Sequence, residues 1–344
     1  MGRWILKAGL RQSIMRLFLR AGLAVGLSLA VLVIFYVLDP IGFRAVAFEP
    51  VRELYFFNRE LGVVSDWQKI RKVSIEPAQT ISIPTDHQSF PRIAADLRIP
   101  DGEGKRPAIL LLHGSAVEGR KSGLIQLLGQ RFQEAGWIVL APDARGFGDS
   151  ETPPDVLAAD SWRTREDTER AIRFLWSHPR TDRTRIFVLG HSMGAGHALE
   201  GALENPHVKA LVLIGPPRYP EGTNLGYWFR VRFSAVRNLD EIVPEEVVRS
   251  RIVLSNLEEY TKNQLKDGNH KPILLIDGES EGPANLGYLS RVASEICPPF
   301  RYRTLPATGH YCGVYNLPLF EGVYYRSDLF EPFFSFLLEE LSRF

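Results

Sequence analysis

The stretch IFVLGHSMGAGHAL, residues 186–199, runs an apolar segment into a serine that has Gly190 two places before it and Gly194 two places after. A sharp turn from a buried strand into a helix needs this pattern. Side chains at the two flanking positions would collide where strand and helix cross, and glycine also accepts the unusual backbone angles of such a turn. The spacing predicts a strained elbow holding the Ser192 hydroxyl at the carboxyl edge of a sheet. A lone G-x-S-x-G is a short pattern, so its meaning depends on what the rest of the chain brings to it.

Working outward, AILLLHG (108–114), WIVLAPD (137–143), ALVLIG (210–215) and PILLIDG (272–278) read as buried strands, and FRYRTLP (300–306) as the last of the series. Helical patterns alternate with them at 122–136, 285–296 and 327–341. Another covers 160–179, with Asp160 as N-cap and Ala171, Ile172, Leu175 and Trp176 at helical spacing. Apolar strands separated by helices predict an α/β fold, with a mostly parallel central sheet flanked by helices on both faces. KVSIE (72–76), TISIP (80–84) and RIAADLRIP (92–100) read as short strands ahead of it. Sheets of this kind place their sites at the carboxyl ends of strands. His113, Asp143, Ser192, Glu281 and His310 all fall in loops that follow a strand.

A serine hydroxyl is a weak nucleophile at neutral pH; it needs a base within hydrogen-bond reach, and that base an orienting acid. Four histidines follow Ser192. His197 lies just over one turn into the next helix and is expected to point away from the hydroxyl, while His207 and His270 lie outside strand-end loops. His310, in LPATGHYCG (305–313), is the predicted base. For the acid, the loop after PILLI offers Asp277, Glu279 and Glu281; the loop after the preceding strand, GPPRYP, contains none.

At these residues the chain resembles the α/β-hydrolase superfamily, whose members commonly close this strand with G-x-x-D. Gly278-Glu279-Ser280-Glu281 matches that register, with glutamate in place of the commoner aspartate, and makes Glu281 the expected acid and Asp277 the runner-up. LLLHGSA (110–116) is similar to the superfamily's oxyanion loop, and PDARGFGDS (142–150) to its D-x-R-G-x-G-x-S segment. The resemblance covers roughly Arg92 to Leu341. It implies an oxyanion hole from the backbone N–H groups of Met193 and Ser115, with His113 and Arg145 shaping the loops. The segment 170–196 is particularly similar to the branch holding dienelactone hydrolases, bacterial esterases and prolyl-oligopeptidase-like peptidases. In this superfamily an insertion at 218–271 resembles a helical lid. Its LGYWFRVRF (225–233) offers Tyr227, Trp228 and Phe229 either as pocket walls for an acyl or aromatic group or as packing against the domain.

The N-terminus carries a different signal. Residues 1–20 hold five basic residues and no acid, so the formal net charge of +1 leaves about −4 for the remainder, and no basic surface for nucleic acid is implied there. Residues 21–38, AGLAVGLSLAVLVIFYVL, form an uncharged apolar run of bilayer-spanning length. Basic residues crowd before it, whereas Arg44 and Arg52 mix with Asp39, Glu49, Glu53 and Glu60 beyond it. That asymmetry predicts a single-pass anchor with a cytoplasmic N-terminus and the catalytic domain, residues 76–344, on the exported side. AVA at 45–47 offers the alternative of a cleaved signal and a secreted domain, though the apolar run is long for a signal core. The juxtamembrane segment 39–75 includes ELYFFNREL (53–61), whose aromatics suit either an interface or the domain surface. Gly22 and Gly26 make a G-x-x-x-G pair able to pack two helices, which leaves the oligomeric state open. Cys297 and Cys312, the two cysteines, are placed for either a disulfide or two separate thiols; neither has a C-x-x-C partner for a metal.

The sequence thus predicts a Ser192-Glu281-His310 hydrolase of carboxylic esters, requiring no metal or organic cofactor. Peptidase and acyltransferase chemistry use the same triad, and a non-catalytic domain that binds a partner at the membrane surface is the reading from another class.

Overall fold

Among the described residues eight strands line up in one central sheet, in the spatial order Gln79–His87, Phe90–Arg98, Ile138–Pro142, Arg106–Leu112, Thr181–His191, Ala210–Ile214, Ile273–Gly278 and Phe300–Leu305. The computed structural model describes residues 31–34, 37–40, 49–87, 90–217, 224–237, 239–254, 257–281, 283–317 and 320–344. The strands are β2 (Gln79–His87), β3 (Phe90–Arg98), β4 (Arg106–Leu112), β5 (Ile138–Pro142), β6 (Thr181–His191), β7 (Ala210–Ile214), β8 (Ile273–Gly278) and β9 (Phe300–Leu305), after a short β1 (Ile70–Val73). β2 and β3 join as an antiparallel edge, and from β5 to β9 every pair is parallel. Crossovers between parallel strands need helices. Those helices bury both faces of the sheet, which is why the central strands are apolar at nearly every position rather than at alternate ones.

On one face, helices Thr164–Ser177, Met193–Ala202 and Pro283–Ser294 bring Ile172, Leu175, Leu199 and Leu289 onto the sheet. On the other, Gly123–Glu134 and Ser327–Ser342 contribute Leu128, Phe132, Phe330 and Leu337. In chain order we number the helices α1 (Glu49–Leu61), α2 (Gly123–Glu134), α3 (Thr164–Ser177), α4 (Met193–Ala202), α5 (Tyr227–Ala235), α6 (Glu245–Leu254), α7 (Pro283–Ser294) and α8 (Ser327–Ser342).

Three features depart from the sequence reading. Asp160 is not the N-cap of α3: it lies in a 3-10 turn, Ala159–Trp162, and Arg163 in a left-handed conformation opens the helix. Strands β10 (Val314–Leu317) and β11 (Phe320–Arg326) were not anticipated. They pair with β1 in a separate antiparallel sheet of order β1-β11-β10, so β1 does not belong to the central sheet at all. β11 takes β1 as a partner from far away in the sequence, which local patterning does not record.

No helix among the described residues is long and apolar enough to cross a membrane. The run 21–38 lies mostly outside those residues; 31–34, 37 and 38 are helical, with exposed side chains. Gly22 and Gly26 lie outside them too.

Candidate active site

Ser192 directly follows β6 and has φ 53° and ψ −119°, a conformation that L-residues seldom adopt. Its backbone N–H still bonds Ile214 O of β7 at 2.8 Å, so the strain is held by the sheet itself. The flanking glycines have the predicted cause. A Cβ on Gly190 would strike the Gly194 carbonyl, and one on Gly194 the Leu112 carbonyl of the neighbouring strand. Met193 opens α4, where a backbone N–H has no intrahelical acceptor and is left to face an anion.

The structure brings Ser192, Glu281 and His310 to one polar cavity of about 180 Å³, with Ser115 on its wall. Glu281 Oε1 lies 3.2 Å from His310 Nδ1, both side chains being mostly buried. Glu281 reaches this position because β8 ends at Gly278 and one 3-10 turn, Glu279–Glu281, carries the chain round. That turn is sewn to the histidine loop. Glu279 accepts the Ala307 N–H at 2.9 Å, and Ser280 N–H bonds Thr308 O at 2.9 Å. Gly215, at φ 51° after β7, leaves the imidazole its place: a Cβ there would stand 3.0 Å from the ring.

Burial opposes a charge on His310, but the hydrogen bond and charge of Glu281, with Glu60 and Asp277 behind it, outweigh burial and raise its pKa above the ordinary value. Asp277 is buried at the end of β8 and contributes charge to this surrounding without being the carboxylate on Nδ1. Of the other histidines, His207 stacks on Trp176 and His270 bonds the carbonyls of Lys271 and Cys297, both away from the elbow. His197 does not line the polar cavity but a neighbouring one that Ser192 also lines, closer than expected for a residue turned away.

The loops carrying the oxyanion candidates are braced from below. His113 Nδ1 donates to Gly114 O at 2.6 Å and Nε2 accepts the Ala144 N–H at 2.9 Å; burial lowers its pKa, which keeps the ring neutral and able to do both. Arg145 clamps Asp167 through Nε at 2.6 Å and Nη2 at 2.8 Å. Arg120, fully buried, bonds Asp96 and Asp143 and so ties the loop after β4 to the loop after β5. Sequence reasoning passed over Arg120, and also His191, whose ring lies 2.9 Å from His310 O and whose pKa is pushed down to about 3, first by burial and then by His310. A histidine inside an apolar strand end is the signal that was available.

A second cavity, of about 230 Å³, meets the first at Ser115, Ser192 and Arg232. Phe147, Trp162, Phe229, Phe233 and Val236 form an apolar part of its wall, beside the charged groups of Asp143, Arg145, Asp167 and Arg232, and Arg237 packs its guanidinium 3.6 Å from the centre of the Phe233 ring. Of the three aromatic candidates Phe229 lines it; Tyr227 and Trp228 do not and are exposed. The helical spacing alone did not show which face of α5 turns inward. The insertion between β7 and β8 is helical as expected, with α5 and α6 sharing a small core of Phe233, Leu239, Val243 and Val247 with Trp162. Residues 218–223 of it lie outside the described residues. Cys297 and Cys312 are separate thiols, one exposed and one buried.

A family model described as serine aminopeptidase S33 (Hydrolase_4) matches residues 103–273, from before β4 to the start of β8. The chain belongs to the α/β-hydrolase superfamily. It is 34% identical over 128 residues, 37% of its length and 43% of the relative's, to an uncharacterised 31.7 kDa protein of Escherichia coli. It is 31% identical over 129 residues to esterase EstD of Thermotoga maritima, covering 36% of this chain and 30% of that one. This α/β-hydrolase therefore spans less than half the length of either curated relative. Among solved structures, Est1E of Butyrivibrio proteoclasticus superimposes with a TM-score of 0.53 at 18% identity, over 76% of this chain and 99% of the other, a likeness of fold.

Proposed function

We propose that this α/β-hydrolase is a serine hydrolase cleaving carboxylic esters with a lipophilic acyl part, through an acyl-enzyme on Ser192. The observation that carries the reading is the position of Ser192, on a strained elbow between a cavity walled in part by aromatic rings and the His310–Glu281 pair. In this mechanism Ser192 Oγ attacks the ester carbonyl as His310 Nε2 takes its proton. Glu281 holds Nδ1–H and stabilises the imidazolium that forms. The N–H groups of Met193 and Ser115 receive the oxyanion, each donor contributing about 3 kcal/mol in a dry site. Collapse expels the alkoxide, which takes the proton back from Nε2. Water then repeats the sequence and releases the acid, with no group beyond the protein's own required.

The helical insertion serves as a lid, with Phe229 and Phe233 forming part of the acyl wall. EstD is named as an esterase, which favours esters over the amide that the serine aminopeptidase name suggests. The apolar run 21–38 anchors the chain with its catalytic domain on the exported side.

The test is covalent labelling of the detergent-solubilised full-length chain by a fluorophosphonate probe beside Ser192→Ala. Labelling of wild type that disappears in the variant supports the assignment and opens a screen of acyl esters by chain length. Folded wild type that does not label would turn the reading toward a non-catalytic, partner-binding domain.

A further inference from the structure

We propose that Arg59 and Glu60, at the end of α1, are positioning residues of the active site, holding the acid-bearing and base-bearing loops together from a helix outside the central fold. The inference rests on Ser192, His310 and Glu281 acting as proposed above.

Helix α1 docks through Phe57 and Leu61 onto Tyr315 and Tyr324 of the small sheet, and Gly62 in the left-handed region ends it. This docking delivers two adjacent side chains to two different loops. Arg59 Nη2 donates to the Ser280 carbonyl at 2.5 Å and stands 3.7 Å from Glu281 Oε1. Glu60, only 2% exposed, accepts the Tyr311 N–H on Oε2 at 3.1 Å. On the other side of His310, Gly309 has no Cβ because Glu60's carboxyl occupies the space one would need. One carboxyl group thus contacts the chain immediately before and immediately after the candidate base.

A carboxylate is not buried without cause, since desolvation penalises its charge. Burial, with the charge of Glu281, holds the Glu60 pKa above the ordinary carboxyl value; His310, the Tyr311 N–H and Arg59 act against that rise without cancelling it. A purely structural Glu60 would need only its acceptor oxygen. A Glu60 that also stabilises the imidazolium needs its charge, and this difference can be measured. The titratable groups around His310 are Asp277 from the end of β8, Glu281 from the turn after it, Glu60 from α1, His191 from β6, and Tyr311 and Cys312 from the histidine's own loop. Arg59 beside Glu281 and Arg232 on the cavity wall complete the charged surroundings.

The experiment is the rate of fluorophosphonate labelling of Ser192 against pH in full-length protein, for wild type, Glu60→Gln, Glu60→Ala and Arg59→Ala, with folding checked by circular dichroism. Glu60→Gln keeps an acceptor for Tyr311 and removes the charge, so the acid limb should move to lower pH by about one unit. Glu60→Ala and Arg59→Ala should lower the limiting rate by about ten- to a hundredfold through loss of alignment. If Glu60→Ala does not fold, Glu60→Gln decides. Wild-type rates and an unchanged limb in the folded variants overturn the proposal. A slower Glu60→Gln with an unmoved limb overturns the role of the charge. Wild type that does not label overturns both this inference and the serine-hydrolase reading, whereas labelling by wild type and variants alike removes this inference alone.

Discussion

Replacing Glu281 with glutamine keeps the shape of the side chain and removes the charge that faces Nδ1 of His310. At 3.2 Å and an effective dielectric of about 20, a carboxylate and an imidazolium attract by about 5 kcal/mol. In the proposed mechanism the active enzyme starts with a neutral imidazole and the imidazolium forms as Ser192 gives up its proton, so above the His310 pKa this attraction lowers the barrier rather than tightening the ground state. Asp277 and Glu60 remain in the variant and supply part of the same field. The net loss expected is about 3–4 kcal/mol, or two to three powers of ten in kcat/KM. A second consequence fixes the sign of a pH effect. His310 works as a base only when neutral, and its raised pKa means that wild-type activity fades as pH falls through a value above that of an ordinary imidazole. In Glu281→Gln burial prevails, and the acid limb moves to lower pH. Initial rates on p-nitrophenyl butyrate over a pH series measure both effects, with Asp277→Asn as comparison. A loss below tenfold, or a larger loss in Asp277→Asn, would falsify the assignment of the acid.

Arg120→Met leaves Asp143 buried without its main counter-charge, and the domain should lose about 3–5 kcal/mol; the half-exposed Asp149 adds little. Urea denaturation measures it, and a loss under about 1 kcal/mol would show that Asp143 is satisfied by its backbone donors alone. Gly194→Ala should cost about 3 kcal/mol and abolish labelling of Ser192, because the Leu112 carbonyl cannot retreat from the sheet; a variant with wild-type Tm and labelling contradicts the elbow geometry.

The parts of the molecule that declare themselves in sequence are those whose physics is local. Gly190 and Gly194 announce a turn because the clash they avoid lies within the motif and the adjoining strand, and the apolar runs of β4 to β8 announce burial on both faces. Glu281 is legible through its register from Gly278, the last residue of β8. Arg59 and Glu60 are not, since their partners lie more than 200 positions away and a charged pair at a helix end normally reads as a solvated surface. The small sheet stayed hidden for the same reason: the pairing of β11 with β1, about 250 positions earlier, depends on chain closure, not on local preference. The inward face of α5 was undecidable because aromatic residues lie all round it, with Phe229 and Phe233 turned to the cavity and Tyr227 and Trp228 to solvent.

Ser192 stands where two chambers of unlike character meet, one walled in large part by rings and the other by Glu281, His310 and Tyr311, with Ser115 and Arg232 shared between them. In the proposed mechanism an acyl chain bonded to Ser192 and housed among the rings leaves the other chamber to water once the alcohol has departed. Water can then approach from the side on which the base waits, without the acyl group having to move. The two half-reactions thereby acquire separate doors, and chain length and leaving group become properties that selection can tune on opposite walls.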